Sequence, residues 1–341
     1  MQSESVWAQS LRKNINKTKK LEKDIRTDLL IVGGGIAGIL CALKLKESGI
    51  SCIIVEKDSI LNGVTRNTTA KITAQHGLIY NKILTAYGNE RARQYYDINS
   101  MAVEEYVKIS KDISCDMERK TAYVYSKDNP DSLEEEAQTY KMLGIPYVWQ
   151  DEVPFEANTC GALGIENQAQ FNPIKLLETV AEKLDIYENT KVVEIKKGKV
   201  VAEQKSFWSE QQNCERHIIQ ADKIIMATHF PMINISGEYF AKMYQNRSYA
   251  MAVKGGPQLN GMYIDENKKG FSFRNYKEYL LVGGGAHKTG TNKGGYRVLE
   301  DFAAQKYPDK EISFAWAAQD CMTLDGIPYI CLLYTSDAAD D

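Results

Sequence analysis

The residues best suited to chemistry lie in one stretch, from Asp28 to Glu56, which reads DLLIVGGGIAGILCALKLKESGISCIIVE. Gly33-x-Gly35-x-x-Gly38 follows directly on the apolar run Leu29 to Val32 and opens an amphipathic segment. Glycine at these places permits a tight turn at Gly33, close approach of a pyrophosphate at Gly35, and close packing of helix on strand at Gly38. The helix N-terminus then aims its unpaired N–H groups at an anion, and phosphate fits that geometry. A second apolar run, Cys52 to Val55, ends on Glu56, where a carboxylate accepts the hydrogen bonds of an adenosine ribose. Strand, turn, helix, strand and acid in this order, within about 30 residues, make a dinucleotide-binding unit rather than a bare glycine turn. The spacing leaves the identity of the dinucleotide open.

A second chemical stretch lies just beyond. Gly63-Val64-Thr65-Arg66-Asn67-Thr68-Thr69-Ala70-Lys71 is small, hydroxyl-rich and cationic. It offers N–H and O–H donors to phosphates, although each residue taken alone also suits a polar loop capping the next helix.

Elements must hold these stretches in place. The first helix is expected from Ile36 to Ser48, stopped by Gly49. Apolar spacing at Ala92, Tyr95, Tyr96, Met101, Ala102, Tyr106 and Ile109 predicts a long helix from Asn89 to Ile113. Thr121 to Tyr125 and Tyr147 to Trp149 read as strands around an acidic amphipathic helix, Asp131 to Leu143, in an inserted substrate-facing domain. Pro173 suits the first turn of a helix running to Lys183. Short strands follow near Ile186, Val192 to Ile195 and Val200, and a longer one runs from Ala221 to His229. His229 falls at the edge where such a strand meets a ligand, although a structural role is the commoner one for a lone histidine.

Composition narrows the function. The chain has 341 residues, 43% apolar and 26% charged, with a formal charge of −3. This describes a globular protein with no field that would recruit nucleic acid. No apolar run reaches the roughly 18 residues of a spanning helix, and the first 25 or so residues lack a secretion signal's apolar centre, so no membrane span and a cytoplasmic location are expected. Arg12, Lys13, Lys17, Lys19, Lys20, Lys23 and Arg26 read as a solvated leader. Seven scattered cysteines without a C-x-x-C pair are expected to be reduced, and four dispersed histidines give no metal-ligand spacing.

The glycine fingerprint, Glu56, GVTRNTTAK, Thr190-x-Val192, ADKIIMATH and Thr323-Leu324-Asp325-Gly326-Ile327-Pro328-Tyr329-Ile330 together resemble the FAD-dependent oxidoreductases of the D-amino-acid oxidase superfamily, which includes glycine oxidase and sarcosine oxidase. The phrases NTTAKIT, QHGLIY, ATHFP, SFRNY and QDCMTLDGIPYI are most similar to a bacterial subgroup with a Rieske iron–sulfur domain after the flavin part. The resemblance implies an α/β fold: a discontinuous Rossmann-like FAD-binding domain (26–76, 160–235 and 316–330) with an inserted mixed-sheet α+β substrate domain (77–159 and 236–315), preceded by a polar leader over 1–25. It assigns Gly33, Gly35 and Gly38 to the FAD pyrophosphate and Glu56, with Lys57 beside it, to the ribose. Thr65, Asn67, Thr68, Thr69 and Ala70 would approach pyrophosphate, ribityl chain or ring. The backbone of Val192 would hold adenine, Ala227 and Thr228 would line the cofactor, and Gly326 would sit by the isoalloxazine. Within the substrate domain, strands are expected at Arg247 to Val253 and Tyr279 to Val282, with Gly283-Gly284-Gly285 as a bend at a domain boundary.

The implied activity is removal of a hydride from a carbon bearing an amine or amino group, onto flavin N5, with a Rieske centre as the candidate electron acceptor. Relatives that oxidise free amino acids place an arginine a few residues before T-x-D-G; here that place holds Asp320. A carboxylate repels a substrate carboxylate, so Asp320 is expected either to attract a cationic substrate or to pair with Arg274. Tyr249, Arg274 and Tyr276 are candidates for the pocket wall. Two other functions fit the dinucleotide unit, an NAD-dependent dehydrogenase and a flavin electron carrier without a small-molecule substrate. The ending CLLYTSDAADD resembles translated sequencing-adapter sequence, so residues 331–341 are expected to be a non-native tail on a fragment that lacks the closing strand, closing helix and Rieske domain.

Overall fold

A computed structural model describes residues 2–11, 18–155, 159–196, 198–204, 215–230, 232, 238–291 and 294–330. Arg12, Lys13, Lys17 and the 331–341 tail lie outside the described residues. The chain forms two compact units. One comprises Ser10–Arg66, Ile174–Gln245 and Asp320–Asp341, the other Met1–Gln9, Asn67–Pro173 and Asn246–Gln319.

The unit with the glycine turn is built on a six-stranded sheet. Its order is Ile186–Tyr187, Cys52–Val55, Ile25–Val32, Glu215–Met226, Lys199–Gln204, Thr190–Lys196. The first four strands are parallel, Lys199–Gln204 runs antiparallel beside them, and Thr190–Lys196 pairs antiparallel with it in turn. Parallel strands covered on both faces need continuous apolar runs, which LLIV and CIIV supply. Leu30, Val32, Val55, Val192, Val200, Ala202, Ile219 and Ala221 form one core there. The helix Ile36–Glu47 carries Ile39, Ala42 and Leu43 as its buried face, with Lys44 and Lys46 in its last turn, where cations suit the carbonyl end.

The other unit holds a nine-stranded mixed sheet. The order is Ile312–Thr323, Met243–Lys254, Tyr279–Lys288, Ser272–Tyr276, Gly261–Asp265, Glu118–Ser126, Gly161–Gln170, Lys71–Ile72, with Val148–Gln150 also on Gly161–Gln170. Gly261–Asp265 and Glu118–Ser126 run parallel. Phe155, Tyr263, Phe273, Val282, Leu299 and Phe302 lie in the core beneath. The helix Pro130–Leu143 starts with proline in its first turn and the Asn129 side chain accepting from Ser132 N, and ends on left-handed Gly144.

Several expectations need correction. The first 25 residues are not a polar leader: Val6–Ser10 is a 3-10 turn whose Val6 and Trp7 are buried, and Leu21 is buried with its N–H on Gln204 Oε1. The segments 67–76, 160–173 and 316–319 belong with the nine-stranded sheet, because Lys71–Ile72 and Glu118–Ser126 both pair with Gly161–Gln170. The span Tyr80–Ser110 is two helical stretches divided at Gly88, whose φ of 81° and ψ of 173° are non-helical, so the expected start at Asn89 stands, a further helical stretch precedes it from Tyr80, and the end falls at Ser110 rather than Ile113. Gly283-Gly284-Gly285 is no bend at a boundary. The strand Tyr279–Lys288 passes through it, and a Cβ on Gly284 would stand 2.7 Å from the Phe271 ring, so these glycines serve close packing.

Candidate cofactor site

In the six-stranded unit, the glycine turn connects Ile25–Val32 to the helix that begins at Ile36. Gly33 has φ +116°, and a Cβ there would lie 2.3 Å from Ala227 O. A Cβ on Gly38 would stand 2.0 Å from Gly33 O, so helix and strand approach as closely as backbones can. At Gly35 the nearest atom to a Cβ would be Thr65 Oγ1 at 3.3 Å, and the helix cap is backbone only. Thr65 supplies what Gly35 lacks: its hydroxyl accepts from Ile36 N at 3.1 Å, satisfying one orphan donor of the first turn.

Glu56 sits at the end of Cys52–Val55 with both carboxylate oxygens engaged. Oε2 accepts from Gly34 N at 2.8 Å and Oε1 from Asp58 N at 3.0 Å. Each oxygen retains a lone pair for a ribose hydroxyl, and the two N–H groups fix the direction in which those lone pairs point. Thr190 N donates to Glu56 O at 2.8 Å, which brings the start of Thr190–Lys196 beside the acid. The ladder slips between Val192 and Glu194, so a bulge falls next to the residue whose backbone the resemblance gives to adenine. Ala227 N donates to Val32 O at 2.8 Å and Thr228 Oγ1 to Phe230 O, placing both beside Gly33. The structure therefore gathers Gly33, Gly35, Gly38, Glu56, Thr65, Val192, Ala227 and Thr228 in one unit. Lys57 is exposed, with its ammonium 3.9 Å from Asp58. His229 is exposed with left-handed backbone, φ 64°. Gly326 lies in the same unit at an exposed turn with φ +81°, where Ile327 N donates to Asp325 Oδ1.

Two residues here escaped sequence reasoning. Gly34 donates to Glu56, and a Cβ on it would meet Ile60 Cγ2 at 2.7 Å; three consecutive glycines were the visible signal. Arg66 keeps a buried Nε with no hydrogen-bond partner among the described residues, and an acceptor oxygen of a bound dinucleotide would complete it.

The nine-stranded unit holds the continuation, Asn67 to Lys71. Lys71 Nζ donates to Thr69 Oγ1 at 3.2 Å and to Ser272 Oγ at 3.3 Å. Burial, with Arg274 near it, pulls this amine down from 10.5 to about 7. Arg274 is 1% exposed, and its hydrogen bonds go to the main-chain carbonyls of Thr69, Ala70, Phe171 and Asn275 rather than to a carboxylate. Tyr276 is buried, donating to Asp116 Oδ2 and accepting from Asn172 Nδ2, both at 2.8 Å. Arg274 and Tyr276 are thus interior residues of this unit, not pocket wall. Tyr249 stays half-buried with its hydroxyl 3.1 Å from His287 Nε2. Asp320 is half-buried in the strand Ile312–Thr323.

A model of the family described as FAD dependent oxidoreductase matches residues 28–335. The chain belongs to that family. Its cofactor is FAD, and the nicotinamide alternative is overturned by this match. A curated relative, the putative Rieske 2Fe-2S iron-sulfur protein YhfW of Bacillus subtilis, is 33% identical over 96% of this chain and 66% of its own length. The chain thus spans just under two thirds of that relative. Among solved structures, glycine oxidase from Geobacillus kaustophilus is similar with a TM-score of 0.64 at 20% identity, covering 89% of this chain and 85% of that one. L-proline dehydrogenase from P. horikoshii is similar with a TM-score of 0.69 at 16% identity, covering 92% and 86%. These likenesses establish the mixed α/β family fold. Among the described residues, no helix is long and apolar enough to cross a membrane, and no group of three or more His, Cys, Asp or Glu stands together as a metal site.

Proposed function

We propose that the chain binds FAD along the glycine turn and oxidises a small amine or amino-acid-like substrate at the carbon bearing nitrogen. FAD, when bound, supplies the hydride acceptor. The chain's own residues bind and orient: Gly33, Gly35 and Gly38 give a diphosphate open backbone and a helix N-terminus, and Glu56, with Lys57 beside it, takes the ribose. Val192 offers its backbone to adenine, Ala227 and Thr228 line the turn, and Thr65, Asn67, Thr68, Thr69, Ala70 and Gly326 serve the rest of the cofactor. Tyr249 and Asp320 are the candidates for meeting substrate.

The observation that carries this reading is the Glu56 carboxylate held on Gly34 N at 2.8 Å, beside a turn that admits no Cβ at Gly33 or Gly38. The names of the structural neighbours, an oxidase and a dehydrogenase of amino acids, support the substrate class. The name of the curated relative favours a second reading, in which electrons pass onward to a Rieske centre. The test is a visible absorption spectrum of the purified protein followed by anaerobic titration with amines and amino acids. Bleaching of the flavin band by one of these supports the first reading. Bleaching only by a protein donor favours an electron carrier, and a protein that never acquires a flavin band sinks both.

A further inference from the structure

The run Asn67 to Ala70 gives up four consecutive main-chain carbonyls to side chains from distant parts of its own unit. Trp316 Nε1 donates to Asn67 O at 2.9 Å and Trp7 Nε1 to Thr68 O at 2.8 Å. Arg274 Nη1 donates to Thr69 O at 2.9 Å and also to Ala70 O. All three donors are buried, and the Arg274 guanidinium lies over the Trp7 ring, 5.4 Å from its centroid. Trp7 in turn meets the ring of Tyr276 edge-on at 4.5 Å. Within the run, Ala70 N donates to Thr68 Oγ1 at 3.0 Å, and Ala70 has φ 55°, a left-handed conformation. For a residue with a Cβ this backbone is disfavoured and persists only where the surroundings over-determine it.

Hydroxyl bookkeeping gives the run a direction. Thr68 Oγ1 already accepts from Ala70 N, and Thr69 Oγ1 from Lys71 Nζ. A hydroxyl used as acceptor still has its O–H to give. With the carbonyls taken by buried donors, what the run offers a ligand is donors, which suits electron-rich phosphate, ribityl or ring atoms.

We propose that Trp7, Trp316 and Arg274 are positioning residues, which fix Asn67 to Ala70 in the one conformation that presents its hydroxyls to the flavin. The proposal rests on the placement of this run against FAD given under Proposed function. It assigns the amino-terminal turn a part in cofactor binding, although Trp7 itself touches only protein.

The experiment uses the full chain with Trp7→Phe and Trp316→Phe made separately, and Arg274→Lys beside Arg274→Met. FAD affinity, the position of the bound flavin's visible band and the melting temperature of the apoprotein are measured together. Each tryptophan variant is expected to weaken FAD about tenfold, the worth of one buried hydrogen bond, and to shift the band. Arg274→Lys is expected to retain affinity that Arg274→Met loses. Altered melting with unchanged affinity and band would overturn the proposal and leave the three side chains merely structural. Thr68→Val with Thr69→Val separates the two levels. If this pair leaves FAD binding intact, the placement of the run against the cofactor fails; if it weakens binding and the tryptophan variants do not, the positioning role fails. Arg274→Lys carries the same reading should a tryptophan variant not fold.

Discussion

In the six-stranded unit, the side-chain contacts that shape the glycine turn join residues near one another along the chain, Gly34 with Glu56 across 22 positions and Ile36 with Thr65 across 29, while backbone from Thr190 and Ala227 closes on it from farther away. In the nine-stranded unit, the contacts that fix Asn67 to Ala70 span 61 positions to Trp7, 205 to Arg274 and 249 to Trp316. The first kind of site is built from backbone and glycine and can be written as a motif. The second is built from buried side chains whose partners are set by tertiary packing, and no spacing announces it. Buried charge occurs in both units, Glu178 in the six-stranded one and Glu136 and Arg274 in the other, where Lys71 is half-buried near Arg274.

The largest effect that would sharpen this contrast is expected from Gly38→Ala. A methyl group 2.0 Å from Gly33 O cannot be absorbed by a flexible side chain, because the obstacle is backbone. We expect a loss of about 3 kcal/mol in stability together with loss of bound flavin, read by thermal melting and visible absorption. An alanine variant of near-normal stability and flavin content would show that the turn is looser than its geometry.

A smaller, pH-dependent effect is expected in the nine-stranded unit. Glu136 is buried, accepts from Tyr80 N and Asn81 N at 2.8 Å, and is pushed by burial from 4.5 to about 7. Between those values the folded state holds more protons than the unfolded one, so stability falls as pH rises through the window. Lys71 behaves oppositely: burial lowers it from 10.5 to about 7, the unfolded state holds more protons across that range, and stability rises with pH. Melting temperature is therefore expected to dip near neutral pH. Glu136→Gln should flatten the acid limb alone and Lys71→Met the alkaline limb alone. Unchanged limbs in both variants would show that these two groups do not set the pH dependence of stability.

The smallest effect is expected at the Thr65 hydroxyl, which accepts from the first turn of Ile36–Glu47. Thr65→Val removes the acceptor for Ile36 N, at a cost of about 1 kcal/mol, with a matching weakening of FAD measured by titration. A cost near zero would mean that water replaces the hydroxyl freely.

Legibility divides along the same line. LLIV, GxGxxG and CIIV disclosed strand, turn, helix and strand because local steric demands dictate each of them, and ADKIIM was readable as the strand beside them. Arg274 and Tyr276 were expected on a pocket wall, and their burial was not legible, because Ser272–Tyr276 shows no alternation: all of its last four residues are interior. Trp7 was hidden for another reason. It stands among polar residues near the amino terminus, where no periodic pattern surrounds it, and its value comes from Thr68, Arg274 and Tyr276. The helix start at Asn89 was legible, since the non-helical Gly88 just before it divides the two helical stretches of Tyr80–Ser110, whereas the stretch before it, from Tyr80, was not.

The parallel bridge between Gln2 and Phe314, together with Trp7 and Trp316 acting on adjacent peptide groups, has a consequence for biosynthesis. A ribosome releases Trp7 some three hundred residues before Trp316, so the early tryptophan must wait in an unfinished chain until its counterpart emerges. Closing so long a loop is slow. This unit can therefore settle only once the chain through Trp316 has been made.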